Sequence, residues 1–120
     1  MKDNVVRDKS YAFAVRIVNL YKYLCEEKKE YVLSKQILRC GTSIGANIEE
    51  AIGGQSEKDF FAKLTIAYKE ARETHYWLRL LTDTRFLSET ESTSMITDVE
   101  ELLKIIGSIQ KTMKKKFNIN

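Results

Sequence analysis

The chain has 120 residues and a formal net charge of +3, and hydrophobic residues make up 43% and charged residues 31% of it. This length predicts a single domain over residues 1–120 whose core needs neither disulfides nor a metal, and the composition excludes a largely disordered chain. Because proline is absent and there are only five glycines, an all-α fold is expected.

The first predicted helix runs from about residue 8 to residue 28. Its apolar residues recur at helical intervals: Phe13, Ile17, Leu20 and Leu24. A charged stretch predicts a turn, and the second helix is expected over about residues 31–52. Cys25 and Cys40 lack the spacing of a zinc or redox motif, and antiparallel helices would hold them too far apart for a disulfide. Two free thiols are expected.

The second helix contains a run of small and polar residues between positions 39 and 51. Gly41 and Gly45 each cost a helix about 1 kcal/mol relative to alanine, so we expect another helix to approach closely there. Three polar residues of this run and two glutamates of the third helix are predicted to face one another: Ser43, Asn47, Glu50, Glu70 and Glu73. We interpret this set as a hydrogen-bond network that sets helix register or assembly, and a binding site is the alternative.

The third helix is predicted to begin at the N-cap residue Ser56. Its apolar positions follow a nearly uninterrupted heptad: Phe60, Leu64, Ala67, Ala71, Thr74, Leu78 and Leu81. Ser88 and Glu91 predict a capping box that opens the fourth helix, which continues the same rhythm to Met113, and the basic tail from about residue 114 to 120 is expected to fray. Four helices with short connections predict an antiparallel up-down-up-down four-helix bundle.

The third helix also carries apolar residues outside its heptad. A helix that is apolar over so much of its circumference is either central in its own bundle or shared with another subunit. We expect an oligomer interface that contains Phe61, Ile66, Tyr68, Tyr76 and Trp77. Packing within one chain is the alternative.

Two pairs of acidic residues are candidate metal ligands: Glu70 with Glu73, and Asp98 with Glu101. They loosely resemble the pairs with which helical nucleotide hydrolases hold Mg²⁺, but the order of residue types in the second pair does not fit. A di-iron bundle needs two Glu-x-x-His motifs, and the only histidine, His75, follows an arginine at the required position. No catalytic residue, cofactor or metal is therefore expected, and a Mg²⁺-dependent nucleotide hydrolase stays a remote alternative.

The C-terminal segment concentrates positive charge, with four lysines and no acid. Lys111, Lys114, Lys115 and Lys116 are predicted to contact RNA or DNA. The alternative is a solvated helix end whose cations complement the helix dipole. Since no segment has the pattern of a signal peptide or a membrane span, we expect a soluble, cytoplasmic protein without a membrane partner.

Three segments resemble a known family. The first contains Gln36-Ile37-Leu38-Arg39, Ser43-Ile44, Asn47-Ile48 and Glu50-Ala51. The second contains Ser56 and Lys58-Asp59-Phe60. The third contains Ala67, Lys69-Glu70-Ala71, Glu73-Thr74 and Tyr76-Trp77-Leu78. This pattern resembles the bacterial four-helix-bundle family, also called the intervening-sequence proteins of 23S ribosomal RNA. The resemblance implies a non-enzymatic homo-oligomer, namely a pentameric ring.

The same resemblance implies kinship with the accessory proteins of diversity-generating retroelements. Those proteins are similar barrels whose basic surface engages nucleic acid and a reverse transcriptase. We therefore expect a nucleic-acid-binding or accessory scaffold protein, with RNA, DNA or a protein such as a reverse transcriptase as partner. A structural or protein-interaction module that binds no nucleic acid is the alternative.

Overall fold

The structure is a computed structural model that describes residues 4–118. It contains four helices, which are α1 (Val5–Glu26), α2 (Leu33–Ile52), α3 (Glu57–Asp83) and α4 (Glu89–Phe117). The molecule measures 47 × 24 × 24 Å, so each helix runs along most of its length. The predicted all-α four-helix bundle is confirmed.

The helices pack in chain order around the bundle axis. Each contacts its neighbour in sequence, α4 closes the ring against α1, and the diagonal pairs make no close backbone contact within residues 4–118. The ion pairs Lys9–Glu101 and Arg16–Asp98 show that α1 and α4 are antiparallel, because residue numbers rise along α1 where they fall along α4. The arrangement is therefore up-down-up-down.

The core is built from the predicted apolar repeats. Every position of the α1 repeat is buried, and the α3 heptad is buried from Leu64 to Leu81. Only Phe60, at the start of that heptad, and Ile109 in α4 stay half-buried, because they line an open apolar cavity of about 390 Å³ at one end of the bundle. Burial of these stripes supplies most of the driving force for folding.

The two glycines of α2 allow α1 to pack closely. A β-carbon added at Gly41 would lie 2.7 Å from the Ile17 side chain, and one added at Gly45 would lie 3.2 Å from the Ser10 carbonyl oxygen. The predicted close approach is confirmed, and its partner is α1. Cys25 and Cys40 are both free thiols, as predicted.

The predicted N-caps are confirmed. The Ser56 hydroxyl accepts a hydrogen bond from the Asp59 amide, and Ser88 and Glu91 form both bonds of a capping box. No helix within residues 4–118 is long and apolar enough to cross a membrane.

The C-terminal segment differs from its prediction. Helix α4 continues to Phe117, so Lys114, Lys115 and Lys116 lie in its last turn and not in a frayed tail, and Asn118 ends the helix in the left-handed conformation. Lysines in the last turn interact favourably with the helix dipole, which explains why the helix extends through them. Residues 119 and 120 lie outside the described part of the chain.

Candidate nucleic-acid interface

The four C-terminal lysines divide into two groups. Lys111, Lys114 and Lys115 are exposed and form no ion pair with a carboxylate of residues 4–118, whereas Lys116 pairs with Glu57 at the start of α3. Three of the four predicted contact residues are therefore free to meet an anion.

A second row of cations runs along α3. Lys69, Arg72, Tyr76 and Arg79 recur at intervals of three, four and three residues, so they form one stripe on the helix surface. All four are exposed, and none of the three cations has an ion-pair partner among residues 4–118. Arg72 and Arg79 line an open groove of about 360 Å³ between α3 and α4.

The α4 lysines lie on the same side of the bundle as this stripe. Glu100, Lys104, Gly107, Lys111 and Lys114 recur at intervals of four and three residues along α4. Two contacts show that this row lies next to α3: Glu100 forms a 3.1 Å hydrogen bond with His75 of α3, and Gly107 faces the Tyr68 ring of α3.

Helices α3 and α4 therefore present one basic face. We define the basic face by its six exposed cations, which are Lys69, Arg72, Arg79, Lys104, Lys111 and Lys114. Two exposed acids lie on the same rows: Glu100, which forms a hydrogen bond with the His75 ring, and Asp83, four residues after Arg79 on α3. Six cations without an ion-pair partner among residues 4–118 outnumber these two acids, so the face has an excess of positive charge although the net charge of the chain is only +3.

The sequence prediction located only part of this face. In α3 the cations alternate with acids along the chain, as in Lys69-Glu70 and Arg72-Glu73, so no basic cluster is visible in the linear sequence. A helical projection is the signal that separates them in the middle of α3, because it places Glu70 and Glu73 towards α2 and Arg72 and Arg79 away from α2.

Those acids face α2. Glu70 and Glu73 both bind Arg39, at 3.4 and 2.6 Å. The Trp77 indole N–H donates to Glu73 at 3.0 Å, and this bond together with the Arg39 guanidinium lowers the pKa of the Glu73 carboxyl. The middle of α3 therefore presents Glu70 and Glu73 towards α2, while its unpaired cations lie away from α2.

The predicted polar network does not form within the chain. Ser43 donates to the Arg39 carbonyl at 2.6 Å and Asn47 to the Ser43 carbonyl at 2.8 Å, while Glu50 pairs with Lys63 at 2.9 Å. These side chains lie on the surface between α2 and α3, where bonding to the preceding turn of their own helix is available. The three residues lie on one stripe of α2, and no contact with Glu70 or Glu73 is observed within residues 4–118.

The five residues of α3 that were predicted to form an oligomer interface fall into two groups. Phe61, Tyr68 and Trp77 pack against the core of their own chain. Ile66 and Tyr76 remain exposed, at 41% and 48%. For the first three residues packing within the chain explains the apolar character, and the other two stay available to a partner.

The acidic pairs considered for Mg²⁺ already have cationic partners. Asp98 binds Arg16 and Glu101 binds Lys9, as Glu70 and Glu73 bind Arg39. No group of three or more His, Cys, Asp or Glu side chains within residues 4–118 has the geometry of a metal site. In the structure these carboxylates form ion pairs that join neighbouring helices.

Comparisons with known proteins agree with this architecture. A crystal structure of a protein with unknown function from the S23 ribosomal protein family of Bacteroides thetaiotaomicron is 59% identical, covers 92% of this chain and 99% of that chain, and superposes with a TM-score of 0.89. No curated protein matches the chain. The sequence profile of the 23S rRNA-intervening sequence proteins matches residues 2–108. The chain therefore belongs to the 23S rRNA-intervening sequence protein family.

Proposed function

We propose that the protein is a non-enzymatic scaffold that binds nucleic acid through the basic face of α3 and α4. The observation that supports this proposal is the row of six exposed cations, none of which is neutralised by a carboxylate of residues 4–118. A polyanion that meets such a row releases its counterions, and this release drives association without any sequence-specific contact.

The proposal predicts a salt-dependent affinity that the C-terminal lysines control. We expect the triple variant Lys111→Gln, Lys114→Gln and Lys115→Gln, which removes two cations of the basic face and the exposed Lys115 one turn after Lys111, to lose most of its affinity for RNA or DNA at low salt. Each lost phosphate contact lowers the slope of log affinity against log salt by about 0.7–0.9, so the slope should become shallower by about 2. A filter-binding titration at several salt concentrations measures both quantities.

A matched control removes the same charge elsewhere. Three exposed lysines lie away from the basic face: Lys22 in α1, Lys29 in the turn after it and Lys35 in α2. Replacing these three with glutamine should leave affinity within about twofold, since only contacted phosphates contribute strongly to the slope. Salt-insensitive binding, or equal losses in both triple variants, would contradict the proposal.

We further propose that copies of the chain associate through the surface between α2 and α3. The exposed Ile66 belongs to the stripe of α3 that faces α2, together with Glu70, Glu73 and Trp77, and it lies beside the polar stripe of Ser43 and Asn47. Mixed surfaces of this kind, with apolar and aromatic residues beside hydrogen-bonding groups, are typical of subunit interfaces. The pentameric ring and a reverse-transcriptase partner, both implied by the family resemblance, stay predictions.

Self-association can be tested with one charge on that surface. Ile66→Glu should reduce the oligomer to monomers, because the interface would bury a carboxylate without a partner. Val15→Glu is the matched control, since Val15 is 47% exposed on α1. Native mass spectrometry reads the mass of both variants directly. Wild-type mass in Ile66→Glu would overturn this interface.

A further inference from the structure

An exposed tyrosine stands in the middle of the cationic stripe of α3. Tyr76 keeps 48% of its surface exposed, with Arg72 one turn before it and Arg79 three residues after it. The Arg79 guanidinium carbon lies over the ring, 6.0 Å from its centroid. An aromatic ring is thus presented to solvent between two arginines that have no ion-pair partner among residues 4–118.

The neighbouring Trp77 holds this ring in place. The two ring centroids are 5.0 Å apart in an edge-on arrangement of 73°. Trp77 itself packs against the core and is fixed by its 3.0 Å bond to Glu73, which Arg39 binds in turn. Because the ring is already ordered, little conformational freedom is lost when a partner stacks on it.

An exposed ring between cations suits unpaired bases. In a duplex the faces of the bases are covered by their neighbours in the stack, whereas in a single strand they are open to aromatic side chains. Sites for single strands combine cations that follow the phosphates with rings on which bases stack. Arg79 follows Arg72 by seven positions, a distance of about 10 Å along the helix axis, so the two arginines flank a single stacking position.

Building on the proposed function, we infer that the basic face binds single-stranded nucleic acid, with Tyr76 stacking on a base and Arg72 and Arg79 contacting the phosphates beside it. The stripe continues along α3 to Lys69, and Arg72 and Arg79 also line the groove between α3 and α4. The strand therefore follows the line of α3.

The test measures binding of labelled oligouridine and of a blunt RNA duplex of equal length. Tyr76→Ala should weaken binding of oligouridine about tenfold, the loss expected for one base–aromatic stack. Its duplex affinity should stay within about twofold, because a duplex offers no free base face to the ring. Tyr76→Phe should keep both affinities, since a phenyl ring stacks equally well.

Tyr11→Ala is the matched control, because Tyr11 is a 68% exposed tyrosine on α1, the helix diagonally opposite α3. It should leave both affinities unchanged. The double variant Arg72→Gln and Arg79→Gln should lower the salt slope for oligouridine by about 1.4, or about 0.7 for each lost contact with a single strand. Circular dichroism checks that each variant keeps the wild-type helix content.

The outcomes separate this inference from the proposed function. If the wild-type protein binds neither probe, both fail. If it binds and the C-terminal lysine variant loses affinity, but Tyr76→Ala changes nothing or weakens both probes equally, only the single-strand inference is overturned. Oligodeoxyuridine in place of oligouridine distinguishes DNA from RNA, because the two strands share phosphates and bases but differ in the 2′-hydroxyl.

Discussion

Replacing Gly41 with alanine is expected to lower the free energy of unfolding by about 2 kcal/mol, although alanine is the better helix former. The new β-carbon would lie within 2.7–2.9 Å of three side-chain carbons of Ile17. Ile17 is fully buried, so it has no free space to move into. The overlap therefore outweighs the gain in helix propensity, and chemical denaturation measures the difference.

Gly107→Ala is the matched control in a helix interior. A β-carbon there would lie 3.5 Å from the Tyr68 ring, an ordinary van der Waals distance. This substitution should stabilise the protein by about 0.5–1 kcal/mol, because alanine loses less conformational freedom than glycine. Opposite signs at the two glycines are the expected result.

A double-mutant cycle identifies the cause at Gly41. Ile17→Ala removes all three carbons that the new β-carbon would meet and by itself costs about 2–5 kcal/mol. In that background Gly41→Ala should become neutral or stabilising, because the methyl group fills part of the cavity. An unchanged penalty in the Ile17→Ala background would show that the overlap with Ile17 is not the reason.

Raising the pH from 9 to 11 is expected to remove about 2 kcal/mol of folding free energy through Cys40. Burial raises the pKa of the Cys40 thiol from 9.0 to about 11, and the hydrogen bond that Thr74 donates to the sulfur opposes this rise only partly. The folded chain thus keeps the Cys40 proton over a range in which the unfolded chain has lost it. Stability from this residue is complete below pH 9 and falls as the pH approaches 11.

Cys40→Ala tests this pH dependence directly. The two proteins share every other ionisable group, so the difference between wild type and Cys40→Ala isolates the buried thiol. Denaturant unfolding at pH 8, 9, 10 and 11 should show a shallower decline for the variant. An equal decline in the two proteins would contradict the prediction.

The helices and their buried stripes could be predicted from the sequence because the information is local. The four-and-three spacing of Leu64, Leu78 and Val99 identifies core positions wherever the helices pack, since a helix buries its apolar stripe. The cap residues Ser56 and Ser88 act within four residues of chain. The glycines of α2 signalled a close helix contact, but not which helix would make it.

Partner choice among the polar residues could not be predicted in the same way. Asn47 and Ser43 bond the preceding turn of α2, whereas Glu70 and Glu73 bind Arg39, because surface side chains take the donors and acceptors nearest to them. These distances depend on how far α2 and α3 are shifted along each other. Periodicity alone does not determine that shift.

Four amphipathic helices, their caps, their core stripes and an excess of lysine at the C-terminal end all follow from the amino-acid order. The position of α4 beside the cations of α3, which joins Lys111 and Lys114 to Arg72 and Arg79 in one basic face, depends on the packing of the helices. Local periodicity sets which side of a helix is buried, whereas packing sets which exposed sides become neighbours.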